Sequence, residues 1–177
     1  MVFEIDISNN QSHVRIDTEA LKLAVVQALH IERVHSAVLS VSIVDNLAIH
    51  RINRDHLQHD FPTDVISFQL DFSKPPASLD DAVGKTAEPQ IELRAVGGMI
   101  EGEIIASAQM AAETVAELTD SESWTVQHEL TLYVIHGLLH ICGYDDMSPE
   151  EKRFMRSRER AVLNSIGLTP IFPDAEY

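Results

Sequence analysis

The sequence predicts an α+β domain, a small mixed β-sheet with helices packed over it, as one unit over residues 1–177. Three observations predict it. β-rich segments alternate with helix-period segments through the first half of the chain. The second half reads as successive helices. Cap and turn residues punctuate almost every junction. At 177 residues, 45% hydrophobic and 23% charged, the chain has the composition of a globular protein and is long enough for one core.

Phe3-Glu4-Ile5-Asp6-Ile7 alternates apolar and polar residues, as a half-buried strand does. Asp17 or Thr18 caps a helix whose apolar face includes Leu21, Val25, Ala28 and Leu29. Ala37 to Val44, with Val38, Val41, Ile43 and Val44, reads as a central strand. Asp45 or Asn46 opens a short helix through Asn53 to about His56, and Val65 to Leu70 is the next strand. Asp71 through Gln90 contains Lys74-Pro75-Pro76, Gly84 and Pro89, which predicts a long loop. Ile91–Val96, Gly97-Gly98 and Met99–Ile105 read as a hairpin with a two-residue glycine turn. Helices follow from about Ala108 to Leu118 and from about Ser123 to Cys142. Ser148-Pro149-Glu150-Glu151 opens the last helix, with Ser148 as cap, Pro149 in the first position and Glu151 as capping-box partner. It ends before Gly167.

No apolar run approaches the ~20 residues of a transmembrane helix. The acidic, alternating N-terminus is not a signal peptide. Cys142 is the only cysteine, which fits a reducing compartment; its position on the helix predicts a core residue. The expectation is a cytoplasmic protein with no membrane partner. A net charge of −15 argues against a protein that coats nucleic acid nonspecifically, although the distribution of charge counts for more than its sum. Lys152, Arg153, Arg156, Arg158 and Arg160 cluster in the last helix. They read either as a solvated face offsetting the helix dipole or as a phosphate-binding strip, which Arg51 and Arg54 would extend.

Chemistry concentrates in Ile135-His136-Gly137-Leu138-Leu139-His140-Ile141-Cys142-Gly143-Tyr144-Asp145-Asp146. Residues i and i+4 of a helix share a face, so His136 and His140 can point at one atom. Gly143 suits a helix stop that reverses the chain, bringing a carboxylate from the following turn within reach. Two imidazoles and one carboxylate leave a fourth position open, as in a catalytic zinc site. Asp146 and Asp145 compete for the third place. Among nine histidines an i,i+4 pair is weak by itself; the glycine stop and the carboxylates give it weight. Gly137 stands where the H-E-x-x-H protease motif needs its general-base glutamate, which excludes that peptidase mechanism.

The string HGLLHICGYDD resembles the HGxLHxxGYDH signature of the YbeY family of metal-dependent bacterial endoribonucleases. Asn53 followed by Pro62-Thr63-Asp64-Val65-Ile66-Ser67-Phe68 is similar to the family's Asn and P-T-D-V-L-S-F segment. Gly102-Glu103-Ile104-Ile105 resembles its G-D-I-x-I strand, and Met155 and Glu159 its M-x-x-x-E helix, so that the likeness spans roughly residues 3–168. The resemblance implies a YbeY-like metal-dependent hydrolase domain with His136, His140 and Asp146 as metal ligands, Asp146 standing where the family has histidine. It implies one divalent ion, zinc by default with nickel, manganese or iron as alternatives. Asn53, Asp64 and Glu103 are the candidate catalytic residues, with Thr63 also matching the pattern. Single-stranded RNA is the implied substrate, in particular the rRNA precursor of the small ribosomal subunit, with small-subunit ribosomal proteins as further partners.

The family also carries an arginine shortly before P-T-D, where this chain has Leu57. His59 or Arg54 would be the substitutes. The implied function is therefore a metal-dependent, single-strand-specific endoribonuclease of rRNA maturation and ribosome biogenesis. Leu57 keeps open an RNA-binding ribosome-assembly factor with a structural metal and weak or no catalysis. A metal-dependent hydrolase of another substrate is the third reading.

Overall fold

A computed structural model describes residues 1–74, 93–118 and 123–171. Four strands, β1 (Val2–Asn9), β2 (Ser36–Val44), β3 (Val65–Ser73) and β4 (Met99–Ser107), form one sheet in the order β1-β2-β4-β3. The first three neighbours in that order run parallel and β3 pairs antiparallel with β4 on the far edge. This is the mixed sheet expected, with β2 in the interior. Ile5, Leu39, Val41 and Ile104 are buried in the main core beneath the helices.

The helices start where polar side chains can take up their first N–H groups. Asp17 accepts from the Ala20 N–H at α1 (Thr18–Ile31) and Asp45 from the Ala48 N–H at α2 (Asn46–Leu57). Ser107 caps α3 (Ala108–Glu117) and Thr125 caps α4 (Val126–Ile141), the latter in a reciprocal box with His128. Ser148 caps α5 (Pro149–Ser165), but the expected box with Glu151 is replaced: the Glu151 carboxylate accepts from Arg94 Nη2 at 2.6 Å.

The predicted glycine hairpin is not formed. Residues 91 and 92 lie outside the described part, and residues 93–98 form a turn rather than a strand. Gly97 donates to the Arg33 carbonyl and Gly98 accepts from the His35 N–H, each at 2.8 Å, so the pair docks against the turn after α1. The antiparallel partner of β4 is instead β3, which runs to Ser73, beyond the predicted end at Leu70. Most of the loop expected over 71–90 lies outside the described residues.

α4 carries the histidine pair and lies directly on the sheet. A Cβ at Gly137 would meet Ile104 Cγ2 and Val65 Cγ2, both at 3.1 Å, so glycine at this position permits the close approach of helix and strands. The helix ends at Cys142, which is buried; burial pushes its thiol pKa up, as suits a core residue. Gly143 follows with φ of +90°, a left-handed conformation that a side chain would strain. Gln69 Nε2 donates to the Ile141 carbonyl at 2.7 Å, tying the end of α4 to β3.

Candidate metal centre and cleft

α4 turns Glu129, Tyr133, His136 and His140 toward one cleft of about 830 Å³. The spacing i, i+4, i+7, i+11 follows one helix face. Leu57, the segment Thr63 to Ser67, and Lys152 and Arg156 of α5 also line it.

His136, His140 and Asp146 converge there: one donor atom from each lies within 4.8 Å of the others. The two Nε2 atoms are 3.0 Å apart, and Asp146 approaches His136 Nε2 through Oδ2 and His140 Nε2 through Oδ1, each at 3.8 Å. Donors held at about 2.0–2.1 Å around a tetrahedral ion would be about 3.3 Å apart, so the residues fit a divalent ion after a small adjustment. Asp145 does not join them. Its Oδ1 accepts from the backbone N–H groups of Asp146 at 2.8 Å and Met147 at 3.3 Å, which makes it the residue that shapes the turn.

The far side of each ring is committed. His136 Nδ1 lies 2.7 Å from Glu159 Oε1, and His140 Nδ1 lies 3.0 Å from the Tyr144 carbonyl oxygen. Both partners are acceptors, which calls for hydrogen on each Nδ1 and leaves each Nε2 to offer a lone pair when its ring is neutral. Two lone pairs facing each other at 3.0 Å repel unless a cation, a metal ion or a shared proton, lies between them. Burial, and then the neighbouring His136, lower the His140 pKa, favouring the neutral ring a metal requires.

Buried contacts fix this geometry. Glu159 is fully buried and its second oxygen accepts from Arg156 Nη1 at 2.8 Å. Tyr144 donates its hydroxyl to Glu32 Oε2 at 2.5 Å, and Arg158 donates to Glu32 Oε1 from Nε at 3.1 Å and Nη2 at 2.7 Å. Arg94 donates to the Gly143 carbonyl at 2.8 Å, with its guanidinium 5.3 Å from the Tyr144 ring centre. The turn that presents Asp146 is therefore anchored from α1, α5 and the segment before β4.

Comparison with known proteins follows the same residues. A family model described as Endoribonuclease YbeY matches residues 6–167. A protein named Endoribonuclease YbeY from Geobacillus thermodenitrificans is 33% identical over 171 residues, 96% of this chain and 99% of its own. One of that name from Rhodopirellula baltica is 38% identical over 148 residues, 84% of this chain but 63% of the longer relative. The chain belongs to the YbeY endoribonuclease family. A Thermotoga maritima protein, TM1509, whose solution structure is known, is similar in fold, with a TM-score of 0.52 at 22% identity, covering 92% of this chain and 91% of that one.

The other residues that match the YbeY pattern separate in space. Thr63 and Asp64 line the cleft, where Asp64 Oδ1 accepts from the Thr63 hydroxyl and the Val65 N–H, both at 2.8 Å. Asn53 is buried outside the cleft lining and donates Nδ2 to the Phe61 carbonyl at 2.8 Å, holding the loop that leads to Thr63. Glu103 stands on the opposite sheet face: its neighbour Gly102 faces Ile141 of α4, and strand side chains alternate. It is not placed to act in the cleft.

The proposed substitutes for the YbeY arginine are also displaced. His59 stacks on Phe61 with centroids 5.5 Å apart, Arg54 pairs with Asp55 at 3.0 Å, and neither they nor Arg51 line the cleft. The cation strip divides as well, because Arg158 is buried with Glu32 and Arg153 is exposed outside the lining.

Glu129 escaped the sequence reading, although it sits seven residues before His136 on the same face. It is buried, accepts from Trp124 Nε1 at 2.5 Å, and has its pKa raised chiefly by burial. Counting back from the histidines at helical spacing would have found it.

Proposed function

We infer that this chain is a metal-dependent endoribonuclease that cleaves single-stranded RNA, with His136, His140 and Asp146 as the ligands of one divalent ion. The observation that carries the reading is the pair of Nε2 atoms 3.0 Å apart with a carboxylate beside them, in a family named for endoribonuclease activity. A divalent ion in that position supplies a Lewis acid for a phosphoryl oxygen and makes water more acidic. Glu159 and the Tyr144 carbonyl hold the two imidazoles in the tautomer that offers Nε2, and Asp146 contributes negative charge from an anchored turn. Asp64, which also lines the cleft, is the carboxylate of the family pattern available to receive a proton there.

Zinc is the default ion, and the carboxylate ligand admits nickel, manganese or iron. The proposed substrate is precursor rRNA of the small ribosomal subunit, and the proposed process is ribosome biogenesis. Leu57, 43% exposed on the cleft wall, favours a second reading, an RNA-binding assembly factor in which cleavage is weak. A fluorescent single-stranded RNA and its duplex, incubated with purified protein and with His136→Ala, test the proposal. Cleavage of the single strand alone, lost in the variant, supports the nuclease; binding without cleavage supports the assembly factor.

A further inference from the structure

α5 brings two cations into the cleft beside the metal ligands. Lys152 and Arg156 both line it, and they are the only lysine or arginine residues among the described residues that do. At i,i+4 they share one face of the helix. Arg156 is not merely near the site. Its Nη1 donates to Glu159 Oε2 at 2.8 Å, while the other oxygen of the same buried carboxylate faces His136 Nδ1 at 2.7 Å. One carboxylate thus fixes the guanidinium and the first metal ligand relative to each other, which an exposed surface pair does not do.

We propose that Arg156, with Lys152 one turn before it, forms the phosphate-binding site of the cleft, taking a phosphodiester oxygen of the RNA strand next to the metal ligands. A guanidinium offers five N–H donors in a planar fork that matches phosphate. The chain carries −15, and Asp64, Glu129 and Asp146 share the cleft, so the general field repels a polyanion. Local cations must therefore place the strand. Leu57 and the Thr63–Ser67 segment, which also line the cleft, supply no positive charge.

This inference rests on the RNA-cleaving reading, and the experiment separates the two. Affinity for a fluorescent single-stranded RNA oligonucleotide is measured against salt for chelator-treated wild type, Arg156→Gln, Arg156→Lys, Lys152→Gln and Arg153→Gln, with KM, kcat and metal content taken on the untreated proteins. Arg156→Gln and Lys152→Gln should each bind more weakly and lower the slope of log affinity against log salt by about 0.7, the loss of one phosphate contact on a single strand. KM should rise more than kcat falls. Arg156→Lys should recover the slope but not all the affinity, because the fork is lost. Arg153→Gln, outside the cleft, should match wild type.

Wild-type slopes in both Arg156→Gln and Lys152→Gln, or an equal loss in Arg153→Gln, would overturn the inference. If Arg156→Gln also loses metal through Glu159, Lys152→Gln decides: a lowered slope sustains the site and an unchanged slope removes it. A wild type that cleaves RNA while its variants match it overturns only this inference. A wild type that neither binds nor cleaves RNA overturns the nuclease reading and this site with it.

Discussion

Glu32 at the end of α1 and Tyr144 in the turn after α4 are 112 residues apart in sequence and joined by a 2.5 Å hydrogen bond between carboxylate and hydroxyl. The same turn carries Asp146, and the carbonyl of Tyr144 orients His140. The Arg158 guanidinium, 4% exposed, shares Glu32 from the other side. The turn that carries Asp146 is therefore held by an ion pair in the core.

Glu32→Ala should destabilise the protein by about 3–5 kcal/mol, because it leaves the Arg158 charge buried and unpaired. Replacing both partners with apolar residues, Glu32→Met with Arg158→Leu, should cost much less. Urea unfolding of the metal-free proteins measures both. Similar losses in the single and double variants would show that the charge left behind is not the cause.

Glu159→Ala should weaken metal affinity by about 10–100-fold, the usual effect of removing the partner of a ligating histidine. The His136 ring would lose the acceptor that fixes its tautomer. Glu159→Gln, whose amide oxygen still accepts, should lose less. Chelator competition gives the constants, and an unchanged Glu159→Ala would disconnect the carboxylate from the site.

Asp146→His should tighten zinc binding without disturbing the fold, since imidazole is the softer donor and the turn position is partly exposed. Equal or weaker zinc affinity would count against Asp146 as a ligand.

Leu57→Arg should raise RNA cleavage and steepen its salt dependence, by adding a cation on the cleft wall facing developing phosphate charge. The gain should be small if Arg156 already fills that role. Cleavage rates over a salt series distinguish the outcomes, and a rate and slope equal to wild type would mean that Leu57 does not face the RNA.

Much of this architecture was legible because the signals are local. Asp17, Asp45 and Ser148 announce their helices, and Gly143 ends α4 where the turn must reverse. The histidine pair needed only helical spacing and the turn offered Asp145 or Asp146; the resemblance to the YbeY signature favoured Asp146. What was hidden is non-local. The alternation around Gly97-Gly98 resembles a hairpin, but which strand pairs with β4 depends on packing far away in sequence. Arg158 sits in a basic run that reads as solvated, yet Met155, Arg158, Glu159 and Val162 follow the buried stripe of α5. Glu103 matches a family pattern, but the pleat of β4 turns it to the other sheet face.

The central claim is that the group His136, His140 and Asp146 holds the ion on which RNA cleavage depends. The most direct measurement is the cleavage rate of single-stranded RNA as zinc, manganese or nickel is titrated into chelator-stripped protein. The rate should be near background in the stripped protein and rise to a plateau at one equivalent per chain for at least one of these ions. Stripped protein that cleaves as fast as any loaded sample would contradict it.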